Sequence, residues 1–211
     1  YLNDTANVSS YLDRVIHASA RMDDLIGDLL NYSRLTVSSL FKQTDINEAI
    51  RDILKDLELT IIEKGAIVNV GSIPDLEVIP GQIRQLFQNL LSNALKFSVK
   101  GVKPVININA GLISEKSIDS APSNAGQFCK ITIQDNGIGF SEKYLDRIFT
   151  IFQRLNSKDN YEGTGIGLAI AKKIVDKHNG IITAKSRENE GACFIIILPV
   201  HQAMAPHALV K

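Results

Sequence analysis

Three short groups of residues have types and spacings suited to chemistry on a charged ligand. Asn89, Asn93 and Lys96 follow an i, i+4, i+7 spacing inside an amphipathic run, so on a helix they share one stripe opposite the apolar face. Two amides in the middle of a helix are poor helix formers, and alone they read as solvated surface. An amide oxygen is also a hard ligand suited to Mg²⁺, and a lysine one turn on can meet phosphate oxygens. The second group, Asp135-Asn136-Gly137-Ile138-Gly139, directly follows a strand-like run. A carboxylate at a strand end, with glycines two and four residues later, makes a turn where backbone can approach a ligand closely. Asp135 can accept from an exocyclic amine, which adenine has at the relevant edge and guanine does not; alone, the segment is also an ordinary tight turn. The third, Gly163-Thr164-Gly165-Ile166-Gly167-Leu168, opens a helix. Glycines there expose amides that bind phosphate, assisted by the helix dipole. It lacks the Gly-Lys-Ser/Thr of a P-loop and does not follow a strand as a dinucleotide fingerprint does.

These groups need elements to hold them. Gly81 to Phe97 reads as the amphipathic helix carrying the first, with Ile83, Leu86, Phe87, Leu90, Leu91, Ala94 and Leu95 on its apolar face. Val105 to Ile113 and Phe128 to Gln134 read as strands, joined by a Ser/Gly/Asn-rich loop, and the second of them delivers Asp135. Gly165 to His178 reads as a helix ended by Asn179-Gly180, followed by a hairpin of Ile181 to Ser186 and Ala192 to Leu198. Upstream, Phe41 to Ile46 reads as a short strand. Asn47 is expected to cap a helix to about Lys64, ended by Gly65, and Ile67 to Val70 and Leu76 to Ile79 read as strands around Pro74. Ser141 is expected to cap a short helix to Phe149, and the tail after Pro199 to be loose. Residues 41–200 thus form a mixed sheet covered by helices on one face, an α+β sandwich.

Leu2 to Leu35 reads as one long helix. Leu12, Val15, Ser19, Met22, Ile26, Leu29 and Ser33 form a heptad seam, which Ile16, Leu25 and Leu30 widen to the stripe of a bundle helix. Such a stripe implies partner helices, and none precedes it here. The division expected is therefore 1–40 bundle helix, 41–200 ligand-binding domain and 201–211 tail.

Composition narrows the classes. The 211 residues are 45% hydrophobic and 22% charged, as in soluble globular proteins. Lys plus Arg equals Asp plus Glu at 23 each, so no global field favours nucleic acid or anionic lipid. Cys129 and Cys193 sit in separate apolar runs and read as free core thiols of a reducing compartment rather than metal ligands. No apolar run is long enough to span a bilayer, and a cytoplasmic location without membrane contact is expected.

Asn89-Leu90-Leu91-Ser92-Asn93-Ala94-Leu95-Lys96-Phe97-Ser98 resembles the N box of sensor histidine kinases. Asp135 to Gly139 and Gly163 to Leu168 are similar to their two glycine boxes, Phe149 and Phe152 to the phenylalanine box, and Gly191 to the closing glycine. The short segment from Arg154 to Gly163 is most like the lid of phytochrome-type kinases. The resemblance implies the GHKL (Bergerat) fold, shared with type II topoisomerases and chaperone ATPases, and the cofactors ATP and Mg²⁺. It implies that Asn93 coordinates Mg²⁺ with Asn89 in support, and that Lys96 and Arg154 contact the phosphates. Asp135 would select adenine, Gly137 and Gly139 leave room for the base, and Gly163, Thr164, Gly165, Gly167 and Leu168 form the closing phosphate loop. Phe149 and Phe152 would anchor the lid or pack in the core. Hydrolytic members of the fold carry a water-activating glutamate at the position of Asn89, so phosphotransfer is implied over hydrolysis.

The family's acceptor histidine motif has no counterpart here. Ser19-Ala20-Arg21-Met22-Asp23-Asp24-Leu25-Ile26 through Leu30-Asn31-Tyr32-Ser33-Arg34 resembles the second helix of the dimerisation hairpin instead. His17 reads as a solvated or packing residue, and His178 as a complement to a helix C-terminus. Implied partners are the phosphoacceptor hairpin of the same or a second subunit, a response regulator, and a second copy in a homodimer. The competing classes are an ATP-binding pseudokinase, an ATP-driven clamp or chaperone, and a serine kinase of the anti-sigma type.

Overall fold

The computed structural model describes residues 5–35, 40–119, 127–155 and 163–202. The expected hinge at 36–39, part of the 114–126 loop, the lid at 156–162 and the tail from 203 lie outside them. Among the described residues the elements run in the order α1 (Thr5–Arg34), β1 (Lys42–Thr44), α2 (Ile46–Asp56), α3 (Glu58–Lys64), β2 (Ile67–Val70), β3 (Leu76–Val78), α4 (Pro80–Lys96), β4 (Val105–Ile113), β5 (Phe128–Asp135), a 3₁₀ turn (Glu142–Tyr144), α5 (Leu145–Ile148), α6 (Gly167–Lys177), β6 (Ile181–Arg187) and β7 (Gly191–Pro199). Five strands form a mixed sheet in the order β2-β4-β5-β7-β6, parallel only between β2 and β4, and β1 pairs with β3 in a separate antiparallel ribbon.

Alternation along the strands sets the core. Ile106 and Ile108 of β4, Ile131 and Ile133 of β5, and Phe194, Ile196 and Leu198 of β7 are buried on one face with Ile83, Leu86, Phe87, Leu90, Ile170 and Ile174 of α4 and α6. This is the α+β sandwich read from the sequence. Registers such as Ile133 opposite Phe194 place like-facing residues side by side across the sheet.

Several boundaries move. The helix expected to start from an Asn47 cap starts two residues earlier: Asp45 is the N-cap, its carboxylate accepting from the amides of Asn47 and Glu48, and the helix breaks at Leu57 into α2 and α3. Asn47 works across the fold instead, donating to Ile73 O at 2.7 Å and accepting from Ile73 N at 3.1 Å. Ser141 makes no side-chain cap, and a 3₁₀ turn stands where the first helical turn was expected. Residues 200–202 are fastened rather than loose. Val200 donates to Gln127 O, and Gln202 donates its backbone amide to the Glu77 carboxylate at 2.8 Å.

His178 is fully buried and does not supply a cation to the end of α6, as the sequence suggested. Its Nε2 accepts from Ile79 N at 3.0 Å, and its Nδ1 lies 2.7 Å from Ile174 O, an arrangement that fixes the neutral ring with the proton on Nδ1. Burial, with Lys177 nearby, lowers its pKa. A depressed histidine contributes stability that is present above its unfolded pKa and lost as pH falls through the folded one. The urea midpoint is therefore expected to drop as pH falls below the ordinary histidine value of 6.5, and His178→Gln to flatten that part of the profile. Equal slopes in both proteins would contradict it.

Helix α1 divides its faces. Leu25, Tyr32 and Leu35 pack against the core of the sandwich. Leu12, Val15, Ile16, Met22, Ile26, Leu29 and Leu30 stay exposed, so the seam read from the sequence is unpartnered in the single chain. The side chain of His17 lies outside what is described.

Candidate functional site

The turn after β5 forms one side of the site. Asp135 ends β5, and its Oδ1 accepts from Gly137 N at 2.8 Å and Ala192 N at 3.3 Å. Asn136 locks the turn to β4, accepting from Val105 N and donating to Lys103 O. Ile138 N donates to Phe97 O at 2.9 Å, which ties the turn to the end of α4. Oδ2 of Asp135 has no partner among the described residues. Burial raises this carboxyl's pKa, and the two backbone amides pull it only part of the way back.

The α4 stripe lies beside this turn. Asn89, Asn93 and Lys96 all line a cavity of about 430 Å³, together with Asp135, Gly139, Arg154, Gly163, Thr164, Gly165, Gly167 and Leu168. Eleven of the twelve residues singled out in the sequence thus face one space. The exception is Gly137, which does not line the cavity but is buried against the end of α4: a Cβ there would stand 2.5 Å from Phe97 O and 2.8 Å from Asp135 Oδ1. Its smallness protects the position of the Asp135 carboxylate.

The glycine-rich segment closes the cavity over the start of α6. Asn89 donates one N–H to Gly167 O at 3.0 Å, which orients the amide and leaves its Oδ1 as an acceptor for a ligand cation. Arg154 donates to Gly163 O at 3.0 Å, joining the two ends of the 156–162 segment. A Cβ on Gly163 would meet Lys96 Nζ at 2.5 Å, so the ammonium sits against this backbone. Ile138, Phe140, Ile148 and Phe194 supply an apolar wall for a flat ring. The phenylalanine pair separates: Phe149 packs against the core, whereas Phe152 is 55% exposed with φ 62, which rules out core packing for it.

Sequence reading missed Asp28. This residue of α1 lines the cavity and accepts from the Thr164 hydroxyl at 2.5 Å. Asp28, Tyr32 and Leu35 share an i, i+4, i+7 stripe beside the heptad seam, and that second stripe was the available signal. The free thiols stay outside the cavity; burial pushes Cys129 up to about 12. Among the described residues no group of three His, Cys, Asp or Glu could hold a metal ion. A hard cation here would have to share amide oxygens of Asn89 and Asn93 with ligand oxygens, the usual manner of Mg²⁺.

The sandwich, with its cavity between a β-strand carboxylate and a glycine-rich helix start, has counterparts of the same fold among solved structures. The full-length ShkA structure in complex with AMPPNP superposes with a TM-score of 0.67 at 23% identity, over 94% of this chain and 40% of that one. The histidine kinase ThkA in complex with the response regulator protein TrrA superposes with a TM-score of 0.66 at 21% identity, over 94% of this chain and 53% of that one. Residues 79–202 match the family described as histidine kinase-, DNA gyrase B-, and HSP90-like ATPase, and the chain belongs to it. Among curated relatives, cyanobacterial phytochrome A of Nostoc sp. is 36% identical over 196 residues, covering 92% of this chain. The chain spans about a quarter of that relative's length, 24%.

Proposed function

We propose that this chain is the Mg-ATP-binding catalytic module of a two-component sensor histidine kinase, transferring the γ-phosphoryl group of ATP to a histidine outside this segment. The observation carrying the reading is the single cavity shared by the Asp135 carboxylate, the Asn89/Asn93 amides and the Lys96 ammonium. Bound ATP would supply the transferable phosphoryl group. Asp135 Oδ2 takes the exocyclic amine of adenine, the apolar wall takes the ring, and Lys96 and Arg154 neutralise phosphate charge. Asn93, with Asn89 beside it, offers oxygen to Mg²⁺. Phosphoryl transfer asks for positioning and charge neutralisation rather than a covalent step from this module. Asn89 cannot act as a base toward water, which favours transfer over hydrolysis.

The acceptor hairpin of the same or a second subunit, a response regulator and a homodimeric parent complete the scheme. The exposed stripe on α1 supports the hairpin and dimer, and the ThkA–TrrA complex is the precedent for the regulator. No described helix is long and apolar enough to cross a membrane, and a cytoplasmic setting fits ATP as the donor.

Calorimetric titration with ATP, with and without Mg²⁺, tests the metal role. Asn93→Ala is expected to bind ATP with its Mg²⁺ enhancement gone, a loss of about tenfold or more measured in Mg²⁺ and little change without it. An equal Mg²⁺ enhancement in both proteins would remove Asn93 from the metal site.

A further inference from the structure

Helix α1 is fastened to the catalytic layer by one stripe. Lys173 of α6 donates to Tyr32 O at 2.9 Å and stands 3.8 Å from the centre of the Tyr32 ring. Lys177 donates to Leu35 O at 2.6 Å. One turn further toward the N-terminus of α1, Asp28 accepts from the Thr164 hydroxyl at 2.5 Å. The first two contacts lie outside the cavity, and Asp28 is the one described residue of α1 that lines it. A carboxylate is out of place there. Lys96, Arg154 and the backbone of the glycine-rich segment all suit an anion, and Asp28 presents negative charge to the same space while occupying the hydroxyl of Thr164.

We propose that Asp28 couples the docking of α1 to occupancy of the cavity, so that a docked helix and a bound nucleoside triphosphate oppose each other. This rests on the nucleotide reading above. A polyphosphate seated along residues 163–167 brings its charge next to Asp28 and competes for Thr164, so binding weakens the innermost fastening of α1. By linkage the docked helix lowers triphosphate affinity by the same factor. Lys173 and Lys177 remain as a hinge, and the end of α1 nearest the cavity is freed. The site thereby reports its occupancy to the helix that carries the exposed bundle stripe.

The test compares MgATP affinity of the wild type, Asp28→Asn and Lys173→Met by calorimetry, with hydrogen exchange of the amides of residues 25–35. Asp28→Asn is nearly isosteric and keeps an acceptor for Thr164, so folding is not at stake. It is expected to bind MgATP about fivefold to tenfold more tightly, within the usual range of coupling between sites. Lys173→Met, which loosens docking without touching the cavity, is expected to tighten binding by about twofold to threefold in the same direction. Saturating MgATP should speed exchange in residues 25–35 of the wild type and speed it clearly less in Asp28→Asn, which retains only the competition for Thr164. Unchanged or weaker binding by Asp28→Asn beside a wild type that binds normally would overturn the coupling. A wild type that binds no ATP would instead remove the nucleotide reading, and the coupling with it.

Discussion

Asp135→Asn is expected to weaken ATP binding about a hundredfold while leaving the fold at least as stable as wild type. The side chain keeps its shape, and one oxygen still accepts from Gly137 N and Ala192 N. The second oxygen becomes an NH₂ group, which then faces the donor amine of adenine. A charge-assisted hydrogen bond is lost and two donors oppose each other, together worth about 3 kcal/mol. Stability follows a different rule. Burial raises the Asp135 pKa, so the ionised form present at neutral pH is the disfavoured one in the fold. A carboxyl whose folded pKa is raised gives its full stability below the unfolded pKa and loses it as pH rises through the folded value. Removing the charge thus relieves a cost at pH 7. Titration calorimetry and thermal melts on the same sample separate the two effects. A melting temperature that falls in step with affinity would make Asp135 a structural residue only.

The reverse pattern is expected at the glycines that wedge the turn. Gly139 has φ 59, and a Cβ there would lie 1.9 Å from Arg187 O. Gly191 has φ 87, and its Cβ would lie 2.0 Å from Asp135 O. Both contacts are with backbone, which cannot swing aside as a side-chain tip does. Gly139→Ala and Gly191→Ala combine left-handed strain with overpacking, about 3 to 4 kcal/mol each. For a chain of this size that is roughly 10 °C in melting temperature. Gly65 is the control. Its φ of 59 is similar but nothing lies within 4 Å, so Gly65→Ala should cost only about 1 kcal/mol of strain. Equal losses at all three positions would show that backbone conformation alone, and not the wedge, sets the cost.

The site was legible because its parts are local. Asn89, Asn93 and Lys96 declare themselves by helical spacing, and Asp135 with its glycines by position at the end of an apolar strand. Each pattern follows from the backbone period and holds wherever the element goes. The sheet and the helix layer were equally readable from alternation in β4, β5 and β7. What failed to show depends on distant partners. Asn47 looked like a cap because Asn caps helices, but its amide instead bridges to Ile73, and Asp45 took the cap. His178 looked like a charged helix terminus until the Ile79 amide was placed against Nε2. Asp28 belongs to an element whose heptad seam dominates its pattern, and its bond to Thr164 spans 136 residues of sequence. The stripe it shares with Tyr32 and Leu35 marks a second face of the helix, but nothing local names Thr164 as the partner.

The most direct measurement of the central claim is phosphoryl transfer from γ-labelled ATP to a separately supplied acceptor hairpin carrying its histidine, with this chain as the catalyst. The expected result is label on the hairpin that requires Mg²⁺, is labile to acid and stable to alkali, and disappears with Asp135→Asn. Label released only as free phosphate, or no label from a chain that binds ATP tightly, would contradict the kinase assignment.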